Sequence, residues 1–355
     1  MENLVEIDPV KDPRWDEFVE SHPFGRIAHL SGWKKVLEGT FGHIKGHHLA
    51  LLDDKKEKIR AGLPIFEVRS SLRGSRLVSI PFATLSDPLI KTYSEGEELL
   101  NAVKHSGRNL SISQIEIRTF YSSPMIKRDE FACDSFFKHH FLSLEKTPEE
   151  LLKSFHYDRV RKKIHRVQNG KLRLHLAADE ADLQGFYNHY AKDRKRLGLP
   201  LPPYTWFKLL WENFHESDRL SILLAELEGE RIGGLLIFKF KERVSAEAIG
   251  WDHNFVKAYP SHFLYWEAIK MGYFRGYKIF DFGRTAPTNL NLMDFKSRWG
   301  TEIRDLPQFI YPAGKYRNNR GGEGTISYKL LRRVIKNTPD SLQGLIGRFC
   351  YRHMG

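Results

Sequence analysis

Gly234-Leu235-Leu236-Ile237-Phe238 repeats, with a single change, Gly62-Leu63-Pro64-Ile65-Phe66 from the first half of the chain. Each copy lies on the returning arm of a predicted hairpin. Leu49 to Leu52 runs into the charged turn Asp53 to Lys58, and Ile59 to Val68 returns. Leu220 to Leu227 runs into Glu228-Gly229-Glu230, and Arg231 to Phe240 returns. Apolar, β-branched arms around a polar or glycine-bearing turn are hairpin chemistry. The same short match at the same point of the same unit implies a duplicated domain.

Between the copies the chain changes character at Thr147-Pro148-Glu149-Glu150. Thr147 suits an N-cap, Pro148 the first helical position, and Glu150 closes a capping box. Leu152, Phe155, Val160, Ile164 and Val167 then recur at helical spacing up to Gly170, which predicts one helix. A strand over Lys171 to Leu176 follows, then helices over Glu180 to Leu197 and Tyr204 to His215. After the second hairpin come a strand over Val244 to Trp251, a helix from a Ser261 cap to Arg275, and a strand over Lys278 to Phe282. That order is α+β. It implies an N-terminal domain over 1–146 and a C-terminal domain over 147–315. Residues 317–324 read as a polar, glycine-rich linker. The tail over 316–355 carries basic amphipathic helices over Ile326 to Lys336 and Ser341 to Tyr351. These either pack back on the core or contact an anionic membrane face.

The chain has 355 residues, enough for two such domains. No apolar run reaches the ~18 residues of a membrane span. Met1-Glu2-Asn3 opens no signal-peptide pattern, and Cys133 and Cys350 suggest no disulfide framework, so a cytoplasmic location is expected. A net charge of +12 favours a polyanionic partner such as RNA, a phosphorylated substrate or an anionic membrane. The pairs His47-His48 and His139-His140 lack metal-ligand spacing, so no metal site is expected. A Gly-x-Ser-x-Gly nucleophile elbow is missing as well.

Chemistry concentrates in the second half. Ile279-Phe280-Asp281-Phe282-Gly283-Arg284 ends a short strand in an acid, a glycine turn and a cation. Asp294-Phe295-Lys296-Ser297-Arg298-Trp299 then sets a lysine between aromatics. Acyl transfer to an amine passes through a tetrahedral oxyanion, and a fixed cation in a dry site stabilises it. Lys296 is the candidate, with Asp281 and Arg284 at the floor of the site; a surface Lys296 and an Asp281–Arg284 pair is the plainer reading. Arg159, Lys163 and Arg166 fall on one helix face at steps of three and four, where they either bind phosphate or are simply solvated. Asp252 to Pro260, ahead of the Ser261 helix, contains no glycine, so a glycine-rich coenzyme A pyrophosphate loop is not expected there.

At these residues the sequence resembles the FemAB/FemX group of the GNAT superfamily, including BioF2-like acetyltransferase domains. The likeness is strongest from Thr147 to Tyr311: Arg159-Val160-Arg161-Lys162-Lys163, Gly233-Gly234, Trp251 with Tyr259-Pro260, and the segments around Asp281 and Lys296. His29-Leu30-Ser31-Gly32-Trp33, Leu63-Pro64 and Ser79-Ile80-Pro81-Phe82 extend it to the first half. The resemblance implies two tandem GNAT-like domains, each a central mixed sheet flanked by helices. Well-studied members move an amino acid from aminoacyl-tRNA to an amine of a peptidoglycan precursor. A lysine after a phenylalanine supports their intermediate, which matches Lys296 after Phe295; a basic residue on the inter-domain helix holds a precursor phosphate, which matches Arg159 or Arg161. Trp251, Tyr259, Arg284 and Lys163 complete the substrate-binding set so implied. No coiled-coil arm of the kind some members carry is present.

The function expected is transfer of an acyl or aminoacyl group, from acyl-CoA or aminoacyl-tRNA as co-substrate, to an amine on a cell-envelope or polysaccharide precursor. A coenzyme A-dependent N-acetyltransferase and a non-catalytic protein that binds an anionic glycan precursor or RNA are the alternatives.

Overall fold

A computed structural model describes residues 3–72, 74–126, 130–315 and 326–354. The predicted linker over 317–324 lies outside them. Among the described residues twelve strands form in chain order: β1 (Leu4–Ile7), β2 (Ile44–Leu52), β3 (Ile59–Ser70), β4 (Gly74–Ser79), β5 (Gln114–Arg118), β6 (Ala132–Ser143), β7 (Leu172–Leu176), β8 (Leu220–Leu227), β9 (Glu230–Phe240), β10 (Arg243–Trp251), β11 (Ile279–Thr285) and β12 (Glu302–Tyr311). With the helices between them this is the α+β fold expected.

Tertiary contacts divide the chain into two compact units. One comprises Met1–Phe137, Asp305–Arg320 and Phe349–Gly355; the other comprises Lys138–Arg304 and Gly321–Arg348. In the first, β1, β2, β3 and β4 pair antiparallel in sequence, β4 pairs β5 in parallel, and β5 pairs the end of β12 antiparallel. In the second, β7, β8, β9 and β10 pair antiparallel, β10 pairs β11 in parallel, and β11 pairs the end of β6 antiparallel. The topology is thus repeated. The duplicated glycines hold corresponding ladder positions, Gly62 opposite Ala50 and Gly234 opposite Leu224. The first unit completes its sheet with the end of β12, from beyond its long segment, whereas the end of β6 that pairs with β11 opens the second unit's own segment.

Apolar faces close each sheet. In the first unit the helix Tyr93–Asn109, started by a Thr92–Glu95 capping box, buries Leu99, Leu100 and Val103 against Leu63, Leu77 and Ile117. In the second the helix Pro260–Phe274 buries Leu264, Ala268 and Ile269 against Leu235, Ile237 and Phe280. At roughly 1.5–3 kcal/mol per fully buried large apolar side chain, such faces dominate the stabilisation.

Two local expectations are corrected. The helix begun by the Thr147–Glu150 capping box ends at Ser154; Phe155 turns extended, a π-helical turn spans Tyr157–Arg161, and a helix resumes over Lys162–Gln168. Phe155 leaves the helix because its ring packs between Trp266 and Trp299. The last long helix is capped by Tyr259, not Ser261, with Tyr259 at φ 55 and Pro260 in the first turn. Among the described residues no helix is long and apolar enough to cross a membrane.

Candidate active site

The site grows from the place where β10 and β11 part. Their parallel ladder lasts three register pairs and ends at Ser245 opposite Asp281. Directly beyond, β10 slips register against β9 between Ala246 and Ala248, and β11 slips against β6 between Asp281 and Gly283. A bulge re-aims the side chain it contains. The first bulge carries Glu247. The second runs through Gly283 at φ 73, a left-handed conformation that glycine adopts without steric cost.

Asp281 is buried at the root of this gap. It accepts hydrogen bonds from His139 Nε2 (2.8 Å), Arg243 (3.0 Å) and the Gly283 N–H (2.7 Å). Burial alone would raise its pKa, but the His139 and Arg243 partners and the Gly283 N–H outweigh it and hold the carboxyl well below the usual range. It is therefore a fixed negative charge and not a proton acceptor.

Lys296 sits in the last turn of the helix Leu290–Ser297, which Asn289 caps through the Leu292 N–H (3.2 Å). Its side chain returns to β11 and is almost fully buried. The ammonium donates to the Gly283 carbonyl (3.0 Å) and the Arg284 carbonyl (3.1 Å). An ammonium has three N–H donors, which leaves one for another oxygen. Burial lowers its pKa to about 8, against the opposing pull of Asp281 and Glu247. His140 is buried next to it and neutral, its pKa lowered to about 4 by burial and by Lys296.

Glu247 completes the gap. Its side chain is exposed, yet the surrounding protein and the Asp281 charge raise its pKa to about 8, with Lys296 and Arg284 pulling the other way. Tyr265, Phe282, Phe295 and Trp299 pack ring against ring beside Lys296, keeping that side apolar.

A second cluster gathers at the start of the Pro260–Phe274 helix. Arg166 donates to the Tyr259 hydroxyl (2.8 Å), and Lys163 lies over the Tyr259 ring at 5.5 Å. Burial lowers the pKa of Lys163, and the Arg159 and Arg298 charges lower it further. His262 donates to the Arg159 carbonyl (3.0 Å). Cations crowded at a helix N-terminus make an anion-attracting surface.

Of the residues singled out from sequence, Lys296, Asp281 and the Arg284 backbone meet at the gap, with Phe295 in its aromatic wall. Arg159, Lys163 and Tyr259 meet at the helix start. Arg161 turns away, donating to the Lys153 carbonyl (3.3 Å) and lying over the Tyr157 ring. Trp251 stacks on His253 at 3.7 Å and joins neither group. Glu247, His139, His140 and Arg243 are absent from the sequence-derived set. The histidine pair was visible there only as a failed metal motif, and Glu247 only as an acid in an otherwise apolar strand. Among the described residues no three His, Cys, Asp or Glu side chains gather in a metal-holding group.

Residues 154–297, which contain these groups except the β6 histidines, Arg298 and Trp299, match the model of the acetyltransferase (GNAT) domain family. That segment is less than half of the chain, and its likeness to an acetyltransferase (GNAT) domain supports an acyltransferase. The fold around that domain is the FemX fold. A crystal structure of FemX matches 94% of this chain and 100% of its own, at 16% identity and TM-score 0.71. The structure of L-PGS from Bacillus licheniformis matches 92% of this chain and 98% of its own, at 13% identity and TM-score 0.58. The C-terminal domain of a putative lysylphosphatidylglycerol synthetase from Agrobacterium fabrum matches 85% and 92%, at 10% identity and TM-score 0.55. At such identities the likeness is one of fold. No curated protein sequence matches the chain.

Proposed function

We propose that this enzyme transfers an acyl group from a thioester to an amine on a phosphorylated cell-envelope precursor, in the gap between β10 and β11. One observation carries the reading: a buried ammonium with an unused N–H stands against the gap that an open, proton-hungry Glu247 lines. Glu247 takes a proton from the acceptor amine as the N–C bond forms. The remaining Lys296 N–H stabilises the carbonyl oxygen as it becomes negative. As the C–S bond breaks, Glu247 returns its proton to the departing thiolate. A carboxyl with a pKa near 8 suits both transfers. Asp281, held by His139 and Arg243, keeps the Gly283 turn and the ammonium in place. Arg159, Lys163 and Arg166 hold a substrate phosphate at the Pro260–Phe274 helix start.

An aminoacyl-tRNA donor rests on the sequence resemblance alone. The test is transfer of labelled acyl groups from acetyl-CoA, and separately from aminoacyl-tRNA, to amine-bearing UDP-sugar peptides. Label from the thioester on the acceptor amine supports the reading. Transfer from aminoacyl-tRNA alone would replace the donor, and no transfer from either, with tight acceptor binding, would leave a binding protein.

A further inference from the structure

The C-terminal segment folds as a helical hairpin, Ile326–Asn337 followed by Asp340–Tyr351. Its inner face is fastened to the second unit. Arg332 donates twice to the Leu197 carbonyl (3.0 and 2.9 Å), Ile335 is buried, and Lys195 pairs with Asp340 at 2.6 Å. Gly347 lies so close to Leu201 that an added Cβ would stand 2.0 Å from its carbonyl oxygen. Packing onto the core, one of the two readings of the tail, uses this inner face alone.

The outer face is apolar and open. Leu330 is 59% exposed and Leu345 60%, and between the helices they border a shallow groove of about 730 Å³ that also includes Val334 and Leu342. Phe349, four residues beyond Leu345 and so on the same side of its helix, is exposed as well. Contiguous exposed apolar surface rimmed by charge marks an interaction site. The rim has one sign. Lys329, Arg333, Lys336 and Arg348 are exposed, while the only acidic residue between 326 and 354 is Asp340, engaged by Lys195.

We propose that this face lies on an anionic lipid surface, with the leucines among the acyl chains and the cations at the headgroups. Leucine and phenylalanine projecting between lysines and arginines, on helices too short to span, is the composition of an interfacial anchor. The charge argues against a second copy of the chain as the occupant. A two-fold contact would set the same cations against one another with no acid to relieve them. Fastened on its inner face, the hairpin needs no folding step to bind. The inference is independent of the acyl-transfer reading.

Flotation of the full chain with vesicles of phosphatidylcholine, and of an equimolar phosphatidylcholine–phosphatidylglycerol mixture, tests it. Binding to the mixed vesicles exceeds binding to the neutral ones by about tenfold or more and falls as salt rises. Leu330→Ser with Leu345→Ser, and separately Arg333→Gln with Lys336→Gln, each lower that binding about tenfold and leave the melting temperature unchanged. Absence of binding to mixed vesicles at low salt overturns the proposal, as does binding that the leucine variant retains. So does a concentration-dependent dimer in solution that the leucine variant abolishes.

Discussion

The two units share one topology and differ at the same point of it. In the first, the β4–β5 parallel ladder ends at Val78 opposite Glu116. Ser79 then bridges onward: its hydroxyl oxygen accepts the Arg118 N–H (2.6 Å) and donates to the Glu116 carbonyl (3.3 Å). Arg118 in turn pairs with Glu116 at 2.7 Å. Ser79, Glu116 and Arg118 thus tie that fork together. In the second unit the fork after Ser245 and Asp281 instead meets a bulged glutamate, a left-handed glycine and a buried ammonium. The duplicated frame supplies a place where strands part; the few residues past the last parallel pair decide whether it becomes a seam or a site.

The strongest way to break this contrast is to alter both forks. Glu247→Gln is expected to lower kcat by about 10²–10⁴, the usual contribution of a positioned base. Ser79→Ala is expected to leave kcat within about twofold while costing about 1 kcal/mol of stability, the net worth of a hydrogen bond. Steady-state kinetics and denaturant melts measure both, and equal losses of turnover would erase the contrast. Lys296→Met keeps the buried stem and removes the charge, and is expected to lower kcat by about 10²–10³, with KM little changed. Arg243→Met sharpens the comparison from the side of stability. It removes one partner of a buried ion pair in which both side chains are nearly inaccessible. A loss of about 3–5 kcal/mol is expected in denaturant unfolding; a loss below about 1 kcal/mol would show that Asp281 is not held as described.

What the sequence discloses and what it hides follow the range of the forces involved. The Thr147–Glu150 capping box and the Glu180–Leu197 helix depend on neighbours a few positions away, and both form where the pattern places them. The duplicated Gly62 and Gly234 segments carry the repeat because each sits on the buried face of a hairpin arm. Lys296 was visible because a lysine flanked by Phe295 and Trp299 is an unusual surface residue. The break at Phe155 was hidden, since Trp266 and Trp299 draw that ring out of helical register from more than a hundred positions away. Glu247 was hidden for the same reason: its importance comes from two bulges on strands that only the sheet brings together. The return of β12 to pair with β5 leaves no local mark in either strand. Tyr259 took the cap from Ser261 because αL geometry at φ 55 followed by Pro260 starts the helix two positions earlier.

The central claim is that Glu247 and Lys296 work together in the open fork, and the pH dependence of kcat tests it most directly. Both groups titrate near pH 8, from opposite directions. The rate should climb as Glu247 loses its proton and fall as Lys296 loses its own, giving a narrow bell centred near pH 8. Glu247→Gln should abolish the acid limb, and Lys296→Met the alkaline limb. A bell that keeps both limbs in the two variants would place the chemistry elsewhere in the molecule.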